Sequence, residues 1–178
     1  MSEDFQSLTS TGMKYFQAKK YSLAADSFSR AIDGAHEAGQ QTEEAELRNN
    51  LSVTLLMLGQ AKQAFEAAQG TDKVFEAHGD VKRQAMALGN MAQALEEQKD
   101  YAQALALYDQ AIELLKGKEY QEIRAMLLRR KALVQGRTGD VYQAVASMDT
   151  SIAEKPRLDV KEKLFQKILD KLFLRKKA

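Results

Sequence analysis

The sequence predicts an all-α protein, a solenoid of four helical hairpins closed by a C-terminal capping helix. Two observations carry this. Glycine numbers 10 and proline 1 among 178 residues, too few turn-makers for a sandwich or a barrel. Sliding the sequence by 40 also aligns columns of small residues without a gap: Ala24, Ala64, Ala104, Ala144; Gly12, Ser52, Ala92, Ala132; and Ala31, Thr71, Ala111, Ser151.

Within each copy, two helical patterns flank a break of two residues. In the third, Leu88, Met91, Ala92 and Leu95 recur at intervals of three and four, and Lys99-Asp100 interrupts. Tyr101, Ala104, Leu105, Tyr108, Ala111, Ile112 and Leu115 then resume the pattern. The breaks at Lys19-Lys20, Gly59-Gln60, Lys99-Asp100 and Gly139-Asp140 are too short for anything but antiparallel neighbours. First helices are expected near 4–18, 43–58, 82–98 and 120–137, and second helices near 22–37, 61–77, 101–116 and 141–154. A ninth helix, near 159–175, follows Pro156, which reads as a stop. Small columns belong where helix axes approach closely, with Phe28, Tyr108 and Met148 filling the space between hairpins. The expected organisation is one domain over 1–178, with repeats about 5–40, 45–80, 85–120 and 125–156 and a cap about 158–176.

Leu8, Gly12, Tyr15, Tyr21, Ala24, Phe28 and Ala31 in the first copy stand at the signature spacings of the tetratricopeptide repeats, and Pro156 stands where that signature ends. Residues 5 to 156 thus resemble that family, in a longer 40-residue variety, and the Tyr-x-x-Ala-x-x-x-aromatic strings favour it over HEAT-type repeats. The resemblance implies a right-handed superhelix with a concave, peptide-binding face. The second copy is the weak one: Ala68 replaces a large residue, and Gly70 lies inside the second helix, where a local kink is expected.

Composition excludes several functions. The net charge of +1 gives no global case for nucleic acid, and no apolar run reaches the roughly 18 residues of a membrane span. The N-terminus lacks a signal-peptide pattern, so a cytoplasmic location is the default. Cysteine is absent, His36 and His78 read as solvated helix-end residues without a triad or metal-ligand neighbour, and no glycine-rich phosphate loop occurs. No enzyme, metal or cofactor is expected.

Charge is uneven along the chain. Residues 1–118 hold 12 Lys+Arg and 17 Asp+Glu, and residues 119–178 hold 14 and 8. Arg129, Arg130 and Arg137 share one first helix, near positions that line the concave side in the family it resembles. Asn50 and Asn90 share a column completed by Ser10 and Arg130. The resemblance implies that an asparagine there holds the backbone of an extended peptide, while an inter-repeat or capping hydrogen bond is the plainer role. Asn49 and Gln93 join the candidate set. The carboxylate clamp of chaperone-binding relatives is not reproduced, since its first-repeat columns hold Thr9 and Met13.

The expected function is therefore a non-enzymatic adaptor that binds an extended segment of a partner protein, one with acidic side chains, on its concave face. The alternative is a self-assembling subunit, a homodimer through the C-terminal helix, whose Leu164, Phe165, Ile168, Leu169, Leu172 and Phe173 form a broad apolar stripe. Lys171, Arg175, Lys176 and Lys177 offer a third reading, a patch for anionic lipid or RNA.

Overall fold

In the computed structural model, residues 4–155 and 157–172 are described. Pro156, Phe173 and the basic residues 175–177 lie outside them, as does the side chain of Leu172. The described residues form helices and connecting turns, with no strand among them. The chain divides into two compact units, Met1–Leu115 and Lys116–Ala178.

The first unit contains α1 (Phe5–Gln17), α2 (Tyr21–Glu37), α3 (Gln41–Met57), α4 (Ala61–Ala68), α5 (Thr71–Ala77), α6 (Val81–Glu97) and α7 (Tyr101–Leu114). The second contains a single 3-10 turn (Lys118–Tyr120), α8 (Gln121–Arg137), α9 (Val141–Ala153) and α10 (Val160–Leu172).

The hairpin turns repeat as strictly as the columns. Lys19, Gly59, Lys99 and Gly139 all have positive φ, between 58° and 84°. In each, the next residue donates its N–H back to a carbonyl of the preceding helix's last turn: Lys20 to Tyr15, Gln60 to Leu55, Asp100 to Leu95 and Asp140 to Gln135, each at 2.9 Å. This closure ends one helix and turns the chain by a fixed geometry, which is why two residues suffice. Asp100 and Asp140 then cap the following helices by accepting from the N–H groups of Gln103 and Gln143.

The small columns are packing contacts. Eleven of their twelve members are buried, and Ala144 is half-buried. At Gly12 the reason is explicit: a Cβ built there would lie 2.7 Å from Cε1 of Phe28, whose ring is 1% exposed. Around that contact Leu8, Ala24, Phe28, Ala31, Ala35 and Leu47 form a continuous apolar core.

The second repeat differs from the helix expected over 61–77. It is interrupted at Gln69 and Gly70, and Gly70 adopts φ +84°. The interruption relocates bulk. Ala68 occupies the column filled elsewhere by Phe28, Tyr108 and Met148, and Phe75 on α5 is fully buried instead, between Ala45 of α3 and Ala87 of α6.

In the second unit, Ser151 donates to the Ala125 carbonyl at 2.7 Å and Ser147 to the Gln135 side chain at 2.8 Å, joining α9 to α8. Arg124 grips Glu154 through two hydrogen bonds of 2.7 and 2.6 Å. The apolar stripe expected on the last helix divides: Leu169 is buried and Phe165 half-buried, whereas Leu164 and Ile168 are exposed.

Candidate functional site

Two clefts involve the expected binding residues, one on each unit. In the first, α1 supplies Phe5, Gln6 and Thr9, and α3 supplies Glu43, Glu46, Leu47 and Asn50, around a volume of about 240 Å³. Buried Leu47 gives it an apolar floor. Thr9 spends its hydroxyl on the Phe5 carbonyl at 2.7 Å. The Asn50 carbonyl accepts from Thr54, and its side-chain amide has no hydrogen-bond partner among the described residues. A half-buried amide in a cleft presents one acceptor and two donors, the complement of an extended main chain. Glu43 and Glu46 make this rim acidic, although Glu46 lies 3.6 Å from Arg83 across a solvent-exposed pair.

The other amides separate. Asn90 donates to the Asn49 side-chain oxygen at 3.4 Å, and the Thr71 hydroxyl, whose single proton goes to the Ala68 carbonyl, lies 3.1 Å from that oxygen. These two asparagines thus bond across neighbouring repeats, the plainer of the two roles. Gln93 is half-buried on α6, away from the residues lining the α1–α3 cleft. Sequence columns place Asn50 and Asn90 alike, and the Asn49 side chain beside Asn90 sets them apart.

Asn49 belongs to a capping network that sequence reasoning missed. Arg48 on α3 donates to the Ala67 carbonyl at 3.0 Å, the Gln69 carbonyl at 2.8 Å and the Glu66 carbonyl at 3.4 Å, the orphan acceptors at the end of α4. Thr71 starts α5 and returns its hydroxyl to the Ala68 carbonyl at 2.7 Å. The available signal was Arg48 itself, a cation in the column that holds Leu8, Leu88 and Leu128 elsewhere.

On the second unit, Glu122, Ala125, Met126 and Arg129 of α8 face Lys155 and Arg157 around about 510 Å³. Arg129 and Arg157 are exposed, Lys155 pairs with Glu162, and Met126 adds an exposed apolar surface. Arg129 is the one expected arginine that lines this cleft. Arg130 is half-buried and Arg137 lies exposed in the last turn of α8, and both make other contacts. Lys155 and Arg157 escaped notice because they flank Pro156 in a linker outside the repeat columns.

His36, without a carboxylate neighbour by sequence spacing, has its Nδ1 3.0 Å from Oε2 of Glu44 across the turn between α2 and α3. Its side chain remains 77% exposed. His78 Nδ1 lies 2.8 Å from its own helix's Val74 carbonyl. Among the described residues no group of three His, Asp or Glu side chains has metal-binding geometry, and no helix is long and apolar enough to cross a membrane.

The family model described as SNAP, soluble NSF attachment protein, matches residues 3–177. No curated protein matches the sequence. Among solved structures, aspartyl phosphate phosphatase F from Bacillus subtilis is similar at a TM-score of 0.79 and 15% identity, over 98% of this chain. The chain spans 47% of that protein's length. BtubC from P. vanneervenii is similar at 0.76 and 16%, over 88% of this chain and 68% of its own. At these identities the likeness is one of fold, an all-α solenoid of tetratricopeptide-like helical repeats.

Proposed function

The chain belongs to the soluble NSF attachment protein family, and on that premise we propose that it is a non-catalytic adaptor that holds extended segments of a partner protein in a cleft on each of its two units. The observation that carries this reading is the Asn50 amide, unengaged among the described residues and set over Leu47 in the α1–α3 cleft. It would grip main chain without reading sequence. Selectivity would come from the rims. Glu43 and Glu46 favour a basic side chain at the first cleft, and Arg129 and Arg157 favour an acidic one at the second. The preference for an acidic partner is thus confined to the second unit. Asn90 and Asn49 serve the reading indirectly, by fixing α3 against α6. Affinity capture with wild-type, Asn50→Ala and Arg129→Glu baits tests it: partners retained by the wild type and lost from both variants support the adaptor, and an identical set on all three baits refutes this site.

A further inference from the structure

α10 carries a second surface, separate from both clefts. Val160, Leu164 and Ile168 recur every four residues, Lys161, Lys167 and Lys171 stand beside them on the same face, and all six are exposed. Val160 is 82% exposed, Leu164 58% and Ile168 48%, although the same helix buries Leu169 on its opposite side. The anchored side therefore faces inward, and the aliphatic stripe with its lysines faces out. The acids of this segment, Asp159, Glu162 and Asp170, all lie off the stripe. Glu162 is moreover bound to Lys155.

We propose that this outer face of α10 docks on an anionic lipid surface, with Val160, Leu164 and Ile168 entering the headgroup boundary and the lysines meeting lipid charge. The match is one of pattern and sign. An aliphatic stripe edged by lysines lets each long side chain lay its methylenes along the apolar boundary while its ammonium stays at headgroup level. A second copy of the chain is the poorer occupant, because two such faces brought together set lysine against lysine with no carboxylate to answer. RNA would satisfy the charge and leave three aliphatic side chains in water, with neither arginine nor aromatic ring on the stripe for stacking.

The test is flotation of the full chain with phosphatidylcholine vesicles, with and without phosphatidylserine. The expected result is binding only to the phosphatidylserine vesicles, weakened by salt. Leu164→Gln with Ile168→Gln, and separately Lys161→Glu with Lys167→Glu, should each lower partitioning roughly tenfold or more at an unchanged melting temperature. Lys161→Arg with Lys167→Arg should keep it. The proposal is overturned by no binding to phosphatidylserine vesicles, by equal binding of the wild type and both double variants, by a wild-type dimer that these variants dissociate, or by a preference for polyuridylate over vesicles.

Discussion

Arg48 on α3 donates to the main-chain carbonyl of Gln69 at 2.8 Å, and Gln69 is the residue at which the fourth helix ends. A single guanidinium reaches three carbonyls there because its planar fork spans neighbouring acceptors of one helix terminus. The interruption of the second repeat is thus built by two residues, the glycine that permits it and the arginine that holds it.

Replacing Arg48 with leucine, the residue of the equivalent columns, should destabilise the first unit rather than improve it. The new side chain gains apolar contact, but the half-buried Ala67 carbonyl and the exposed carbonyls of Glu66 and Gln69 lose their donor, for a net loss of about 1 kcal/mol. Arg48→Lys should recover little, since one ammonium cannot span the set. Thermal unfolding followed by circular dichroism reads the loss. Hydrogen exchange should accelerate first at the amides of α5.

Gly70→Ala should cost about 1 to 2 kcal/mol through the backbone alone. Gly70 sits at φ +84° with nothing within 4 Å of a Cβ, so no clash contributes. Gly70→Asn should be milder than Gly70→Ala, because asparagine tolerates the left-handed region. Urea unfolding midpoints order the three proteins.

Gly12→Ala tests the packing columns. Alanine gains about 1 kcal/mol of helix propensity over glycine, while pressing a methyl onto a buried ring typically costs about 1 to 3 kcal/mol. Phe28 is enclosed, so the packing loss should win and the melting temperature should fall. Adding Phe28→Leu should lessen the penalty of the alanine, which a double-mutant cycle measures.

The start of α10 should be sensitive to acid. Asp159 accepts from the Glu162 N–H at 2.8 Å and Glu162 from the Asp159 N–H at 3.0 Å, a reciprocal cap. The Glu162 N–H holds the Asp159 carboxyl below its ordinary 3.8, and Lys155 holds Glu162 below its ordinary 4.5. With both values depressed, the folded chain binds fewer protons than the unfolded one in that range. This contribution is therefore complete above the ordinary values and drains as pH falls through the depressed ones. Amide protection in α10 should be flat from neutral pH down to about 5 and fall below about 4. In Asp159→Asn the fall should be shallower.

What repeats in the chain is legible in its sequence, and much of what occurs once is not. The hairpin turns and small columns were legible because close helix approach tolerates only small side chains, and a two-residue turn leaves only one geometry. Gly70 was legible as a weak point because a glycine inside a helix is unfavourable. Arg48 was not, since a lone cation on a helix reads as solvated until the carbonyls beside it are placed. Asn50 and Asn90 share one column and one chemistry, and only the position of Asn49 separates them. Lys155 and Arg157 were hidden because a linker has no period to read.

The most direct test of the adaptor is selection of an unbiased peptide library on the full chain, followed by titration of the selected peptides against wild type, Asn50→Ala and Arg129→Glu at matched melting temperature. The account predicts that Asn50→Ala weakens peptides of differing sequence by a similar factor, about tenfold for a lost main-chain contact. Arg129→Glu should penalise only those with acidic residues and should reduce the salt dependence of their binding. Peptides that bind all three proteins equally well would contradict it.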